Sequence, residues 1–416
     1  MNKALVIPIL GFILLMIDFY VFQAFRVMAK DKPAWWRNTI YSGYWGTTLV
    51  VFLAFLSYNL LPPSTFTREF RYFMIVGVTI IYFAKLFSVV ILMFDDLIRL
   101  TRKIFELFRK RKPIDDSEGA KITRSQFLAR TAALVGAIPM VAMTFGIVSG
   151  AHDYRIRRVK LRFPGLPAAF NGIKIVQISD IHSGSFYNKT AVRGGVDMLM
   201  NEKPDVVFFT GDLVNDETRE INDYIGIFNK VSAPLGVFST TGNHDYGNYR
   251  MWPSTDAKEK NFQDLIEAHK ILGWDLLMNE HRWLRVDGEQ IAVIGIENWG
   301  TGRFPKLGKL NEAYVGTEDA PLKILLSHDP SHWDAEVRPE YPDIDLMLAG
   351  HTHGFQFGIE AGNFKWSPSQ WIYKQWAGLY QEGQQYLYVN RGYGYIGYPG
   401  RIGILPEITV FELLKA

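Results

Sequence analysis

The chain has 416 residues, 48% of them hydrophobic, with a formal net charge of +3 and no cysteine. So small a net charge gives no ground for a nucleic-acid partner, and the basic residues matter by position more than by sum. Without cysteine there are no disulfides, thiolate metal sites or Cys nucleophiles, so any metal centre must use His, Asp, Glu or Asn.

The length allows more than one domain at ~100–200 residues each. Long apolar runs crowd residues 1–150, read as a transmembrane domain, whereas residues 151–416 have the composition of a soluble domain. Four runs, 5–25, 40–61, 70–98 and 127–148, are long enough to cross a bilayer core as helices, which takes roughly 20 residues each. The first connection carries Arg26, Lys30, Lys32 and Arg37. The third carries Arg99, Arg102, Lys103, Arg109, Lys110, Arg111, Lys112, Lys121 and Arg124, with a charged linker at 112–121. The second is short and has only Arg68, with Arg71 just beyond. Basic loops stay in the cytoplasm, which places the N-terminus and everything after the fourth run outside. Asp18 and Lys85 fall within the first and third runs; charges there are costly and are expected to pair. The stretch Thr123-Arg124-Ser125-Gln126-Phe127-Leu128 resembles a twin-arginine export signal, with Ser125 where the second arginine would stand. A retained anchor fits that departure better than export.

After Gly150, short runs rich in Val, Ile, Leu and Phe alternate with helix-compatible stretches. Strands are expected at 174–179, 205–210, 237–240, 290–296, 322–327 and 345–349, and helices at 189–201, 219–231 and 256–272. Such alternation predicts an α/β layered domain with mostly parallel pairing. Ligand sites in such sheets lie beyond the carboxyl ends of the strands.

Polar motifs fall at those ends: Ser179-Asp180-Ile181-His182, Gly211-Asp212, Gly242-Asn243-His244-Asp245, Ser327-His328 and Gly350-His351-Thr352-His353-Gly354. They hold five of the nine histidines. On extended chain, Asp180 and His182 would point to one side, as would His351 and His353. Imidazole with carboxylate suits zinc, iron or manganese. Any one motif alone is common; all of them in this order, each after a strand, are not.

The order D-x-H, G-D, G-N-H-D, H, G-H-x-H resembles the signature of the calcineurin-like metallophosphoesterase family from residue 174 onward. The resemblance implies a four-layer α/β/β/α sandwich, here preceded by a four-helix transmembrane domain. It implies two divalent metal ions (Mn, Fe, Zn or Mg). Asp180, His182 and His353 would hold one, Asn243, His328 and His351 the other, and Asp212 would bridge both. His244 would face the substrate as the catalytic residue while metal-bound hydroxide attacks phosphorus in line. Asp245 would either orient the His244 ring or cap a turn. The tail, with Tyr388-Val389-Asn390-Arg391-Gly392-Tyr393-Gly394, Gly397, Pro399, Arg401 and Gly403, resembles a bacterial membrane-associated subgroup. That subgroup includes phosphodiesterase-type members and hydrolases of UDP-2,3-diacylglucosamine. Arg391 and Arg401 are either phosphate contacts or loop stabilisers. The aromatics Trp252, Trp299, Trp366, Trp371, Tyr373 and Trp376 are either core or a rim that meets lipid headgroups.

The implied function is hydrolysis of a phosphoester, in first place a phosphodiester, in a lipid or lipid-linked headgroup. The enzyme would sit in a bacterial inner membrane with its catalytic domain in the periplasm. The alternatives are a cytoplasm-facing UDP-2,3-diacylglucosamine pyrophosphate hydrolase and a non-enzymatic membrane scaffold on the same fold. A protein Ser/Thr phosphatase fits less well, because those sequences resemble G-N-H-E where this chain has Asn243-His244-Asp245. Sidedness separates the first two readings. A single cysteine introduced as Asn201→Cys is expected to react with a membrane-impermeant thiol reagent in intact cells; labelling only after lysis would reverse the topology.

Overall fold

The computed structural model describes residues 3–108, 124–362 and 364–416. The linker at 112–121 and the basic residues Arg109–Lys112 and Lys121 lie outside the described residues. The chain divides into two compact units, Met1–Phe145 and Gly146–Ala416. The helices of the first are α1 (Lys3–Ala29), α2 (Ala34–Leu60), α3 (Arg68–Phe108) and most of α4 (Arg124–Val148).

The second unit is built on two six-stranded sheets. The first contains β1 (Arg155–Phe163), β2 (Lys174–Ile178), β3 (Val206–Thr210), β4 (Val237–Thr240), β5 (Asp275–Leu276) and the last strand, Glu407–Lys415. The second contains β6 (Glu280–Val286), β7 (Glu289–Gly295), β8 (Lys323–Leu326) and β9 (Leu346–Ala349). A two-stranded ribbon follows, β10 (Ile359–Ala361) with β11 (Phe364–Trp366), and then β12 (Gly378–Glu382) and β13 (Gln385–Val389), which complete the second sheet. With Glu407–Lys415 as β14, the orders are β1-β14-β2-β3-β4-β5 and β12-β13-β9-β8-β7-β6. The runs β2-β3-β4 and β7-β8-β9 are parallel, so all their carboxyl ends can carry loops to one place.

Three apolar layers hold this arrangement. Phe163, Ile175, Phe208 and Phe411 of the first sheet meet Val293, Ile324, Leu326 and Leu348 of the second. The outer face of the first sheet packs under α5 (Lys189–Asn201), α6 (Ile225–Phe228) and α7 (Thr255–Leu272). The outer face of the second packs under α8 (Leu310–Tyr314) and the turn at Trp333–Val337, which continues into α9 (Arg338–Glu340). The result is helices, sheet, sheet, helices: the four-layer sandwich. The side chains of Asn188 and Ser254 cap the amino ends of α5 and α7, where free backbone N–H groups need acceptors. The helix expected at 219–231 shrinks to a turn at Thr218–Ile221 and the four residues of α6. One reason is tertiary and one local: the Thr218 N–H donates to Asn261 Oδ1 of α7 at 2.8 Å, and Glu220 turns back to accept from Asn215 N at 2.7 Å.

Four apolar segments, Leu5–Ala29, Ala34–Leu60, Phe70–Phe105 and Gln126–His152, are long enough to cross a membrane; the first three lie in the first unit and the fourth runs past its end at Phe145. They extend past the expected limits because a helix continues through Trp35, Trp36 and the charged residues at its ends, where hydropathy alone stops. Their outward side chains, Phe12, Val50, Met93 and Val141 among them, are exposed, as lipid-facing positions should be. Close approach is seen where Gly136 of α4 lies against Ser88 of α3, whose hydroxyl donates to Ala132 O at 2.8 Å; small residues permit such helix contact in lipid. Asp18 does pair with Lys85. Tyr82 donates to the same carboxylate at 2.8 Å and Thr48 at 3.1 Å, while the Tyr44 hydroxyl donates to Asp18 O at 2.8 Å. The Lys85 ammonium also lies 5.1 Å and 5.0 Å from the Tyr44 and Tyr82 ring centres, so α1, α2 and α3 share one polar knot. Removing one charge strands the other. Asp18→Asn and Lys85→Met are each expected to lower thermal stability in detergent, and the double variant to lose less than the sum; strictly additive losses would show the pair uncoupled.

Candidate metal centre

The loops after β2, β3, β4, β8 and β9 converge and bring together all eight sequence-predicted site residues: Asp180, His182, Asp212, Asn243, His244, His328, His351 and His353. The route differs from the extended-chain expectation. Asp180, His182, Asp212, His351 and His353 all have φ between 48° and 69°, the left-handed region that side-chain-bearing residues rarely adopt. Strand alternation ends with the strand; tight left-handed turns, not a shared strand face, aim these side chains. Glycines give the room. A Cβ on Gly350 would strike Asp180 Oδ2, and one on Gly242 would strike Asp212 Oδ1.

Two groups result. Ligand atoms of Asp180, His182 and His353 all lie within 4.8 Å of one another, as do those of Asp212, His328 and His351. His182 Nε2 is 3.1 Å from His353 Nε2, and His328 Nε2 is 3.2 Å from His351 Nδ1. His328 Nδ1 donates to Thr210 O at 2.7 Å, which leaves Nε2 as the bare nitrogen of the neutral ring and aims it inward. Asp212 Oδ2 lies 3.5 Å from His182 Nε2 and 3.1 Å from His328 Nε2; it is the carboxylate common to both groups. Asn243 Nδ2 donates to the Tyr249 hydroxyl at 2.8 Å, while its buried Oδ1 has no hydrogen-bond partner among the described residues. Converging bare nitrogens, buried carboxylates and an orphaned amide oxygen are the donor set a pair of divalent cations takes, so the residues fit such a centre.

The electrostatics agree. Burial pushes the Asp212 carboxyl up, but the imidazoles of His328, His244 and His182 outweigh it and hold it well below the usual range. Burial pulls the His328 imidazole down, yet the Asp212 carboxylate beside it lifts it to about 10, so with no cation at the site Nε2 keeps a proton facing Asp212, and a bound cation would take that proton's place. Burial holds the His182 and His351 imidazoles below their ordinary value. Asp212 is thus kept in its charged form by the imidazoles around it.

His244 stands at the wall of an open cavity of about 420 Å³. Its Nδ1 donates to Asn215 O at 2.7 Å, and its ring lies 4.4 Å from that of Tyr249. Asp245 does not orient that ring. It accepts from the backbone N–H groups of Gly242 at 2.8 Å, Asp212 at 2.9 Å and Leu213 at 2.8 Å, so it is the turn cap. Arg391 is held by Glu407 and Glu360 at 2.5 Å each. Arg401 is buried, with its guanidinium on the carbonyls of Arg391 and Gly394. Both arginines brace the tail loop. The aromatics divide likewise: Trp299 and Trp376 are buried, and Trp371 is exposed.

Three contributors have no sequence motif: Asn215 through its carbonyl, Tyr249 and Tyr373. The Tyr373 hydroxyl meets His351 Nε2 at 2.7 Å, which turns Nδ1 toward His328 and Asp212.

A two-sheet sandwich with paired His and carboxylate clusters at its strand ends defines a metal-dependent phosphoric ester hydrolase, here an integral membrane protein. Residues 173–355 match the family model "Calcineurin-like phosphoesterase", and residues 2–151 match "Probable Calcineurin-like phosphoesterase, transmembrane domain". The uncharacterized metallophosphoesterase YkuE of Bacillus subtilis is 31% identical over 308 residues, 70% of this chain and 98% of the relative. A transmembrane protein with metallophosphoesterase domain from Danio rerio is 29% identical, over 74% of this chain and 69% of the relative. The phosphodiesterase YaeI of Escherichia coli is 25% identical, over 70% of this chain and all of the relative. The chain belongs to the calcineurin-like metallophosphoesterase family, whose members depend on a dinuclear metal centre.

Tyr373→Phe removes only the hydroxyl behind His351. It is expected to weaken metal binding by roughly 10–100-fold, the usual cost of losing such a partner, while thermal stability of the metal-free protein changes little. Unchanged metal affinity by titration calorimetry would deny Tyr373 that role.

Proposed function

We propose that this protein hydrolyses a phosphodiester in a lipid or lipid-linked headgroup, from an anchor in a bacterial inner membrane with the catalytic domain on the periplasmic side. Residues 1–150 serve as the transmembrane domain and 151–416 as the catalytic domain. The observation that carries the chemistry is the position of Asp212, within reach of His182 in one ligand group and His328 in the other. In this reading Asp180, His182 and His353 would hold one divalent ion, Asn243, His328 and His351 the second, and Asp212 would serve both. When bound, such ions supply activation of water and neutralisation of phosphate charge; Mn, Fe, Zn and Mg all suit the donors.

The chain's own residues do the remainder. The His244 backbone N–H donates to Asp212 Oδ1 at 2.8 Å and so fixes the carboxylate. The His244 ring, with Nδ1–H engaged by Asn215 O, handles its second proton at Nε2 and donates it to the leaving oxygen. Tyr249 holds the Asn243 amide so that its oxygen, not its nitrogen, faces the centre. The diester preference is supported by the YaeI relative, which carries the name phosphodiesterase. The membrane-held substrate is supported by the four apolar helices on the same chain, and the outward orientation by the basic loops.

Asp212→Ala and His353→Ala are each expected to abolish metal-dependent hydrolysis of bis(p-nitrophenyl) phosphate. His244→Ala is expected to keep the metals and lose turnover by roughly 10²–10⁴-fold, the range for a general acid. Wild-type turnover in any of the three, measured on folded protein of known metal content, would remove that residue from the mechanism.

A further inference from the structure

The ribbon β10–β11 reverses the usual amphipathic order. Opposed residues share a face, and the register pairs Ile359 with Trp366, Glu360 with Lys365 and Ala361 with Phe364. The charged pair points inward. Glu360 meets Arg157 and Arg391, and Lys365 meets Ala377 O and the Tyr380 hydroxyl. The apolar face points out: Ile359 is 55% exposed and Phe364 58%. The next turn adds Trp371 at 73% and Ile372 at 68%, and the loop before the ribbon adds Phe355 and Phe357. Ring contacts from Phe357 to Trp366 at 6.2 Å and from Trp366 to Trp371 at 6.0 Å join these into one surface. A half-solvated sheet normally hides its apolar side and wets its charges. This one does the opposite beside the catalytic cavity, whose wall includes Phe355.

The location points to the occupant. The fourth apolar segment, Gln126–His152, ends inside the second unit. There Tyr187 donates to Ile147 O, and the Arg401 N–H donates to Gly146 O at 3.1 Å. Residue 402 then pairs with the loop that enters the ribbon: Ile402 N donates to Gln356 O at 2.7 Å, and Gly358 N to Ile402 O at 2.9 Å. The exposed aromatic face is thus tied through one short loop to the point where the chain leaves its last membrane segment. Trp and Phe rings at such a point favour the headgroup boundary.

We infer that the outer face of β10–β11, with Trp371 and Ile372, docks into the lipid surface and opens the catalytic cavity toward the headgroups. For its substrate this inference rests on the lipid-headgroup reading above; for the contact itself it stands on the ribbon. The cysteine-free chain permits a direct test. Phe364→Cys, Trp371→Cys and, as reference, Asn201→Cys are labelled with a nitrobenzoxadiazole dye in the full chain, reconstituted in nanodiscs of phosphatidylethanolamine and phosphatidylglycerol. Labels at 364 and 371 are expected to emit to the blue of the label at 201. They should be quenched by doxyl-lipid and spared by aqueous iodide, with 201 the reverse. Quenching of 364 and 371 by iodide, as at 201, would overturn the inference. So would protection from both quenchers, which would mean that a second copy of the chain covers the face. Because the dye reports position and not turnover, a chain inactive on phosphodiesters with both labels in lipid would overturn only the proposed function.

Discussion

Two carboxylates, those of Asp180 and Asp212, are buried at the meeting point of two sheets, and the surrounding loops are shaped by the need to compensate them. An ionised carboxylate taken into a protein interior costs several kcal/mol unless donors and opposite charge surround it. Asp180 receives the His351 N–H at 3.0 Å and faces His353 Nε2 at 3.2 Å. Asp212 receives the His244 N–H and faces His328. Each partner comes from another strand end, and the Asp180 pairs come from the opposite sheet. The two sheets are therefore locked with their carboxyl ends together, and Gln177 reinforces this by donating to Thr210 Oγ1 and Ala349 O at 3.0 Å and 2.9 Å.

That lock has a conformational cost. Left-handed backbone at a side-chain-bearing residue is disfavoured by roughly 1–3 kcal/mol, and five of the proposed ligands adopt it. The geometry persists because each turn is determined from several sides. Asp180 N–H donates to Gly211 O at 2.9 Å, His182 N–H to Asp212 O at 3.1 Å, and Asp245 gathers amides from both the β3 and β4 loops. Apolar burial in the three layers behind the loops offsets the strain. A site so constrained holds its donors in place before any ligand arrives.

The same physics decides what could be read from the sequence. Strands β2, β3, β4, β7, β8 and β9 are buried on both faces over most of their length, so they show as continuous apolar runs and were legible with limits close to those observed. The edge strands β1, Arg-Ile-Arg-Arg-Val-Lys-Leu-Arg-Phe, and β6, Glu-His-Arg-Trp-Leu-Arg-Val, are charged on their open faces and gave no such run. The proposed ligand positions stand out in the sequence because only a few residue types bind hard or borderline cations, and the fold brings those residues together. Tyr373, Tyr249 and the Asn215 carbonyl were not, because a hydrogen bond from a distant loop leaves no spacing rule. The extended-chain expectation fails at Asp180 and His182 for a related reason: alternation is a property of extended chain, and here the chain has already turned.

The aromatic stretch from Trp366 to Trp376 shows where composition stops being informative. Dense aromatics at 366–376 fit a core and an exposed rim equally well, and the fold uses them for both. Trp376 packs with Ala377 and Ile404, Tyr373 backs a proposed ligand, and Trp371 faces outward. What separates the roles is the register of β10 against β11, which sends Glu360 and Lys365 inward to partners that neutralise them. Once those charges are satisfied inside, the opposite face presents mainly the apolar side chains of Ile359, Ala361, Phe364 and Trp366, and water is a poor neighbour for it. Only an apolar medium or another apolar surface relieves that cost. In a chain that already carries four membrane segments, the bilayer is the medium inferred for this face, and the cavity wall beside it belongs to the proposed catalytic centre. On the proposed lipid-headgroup reading, anchoring, exposure of the ribbon and access to the site become aspects of a single constraint: an enzyme whose substrate is held in the bilayer must meet it there.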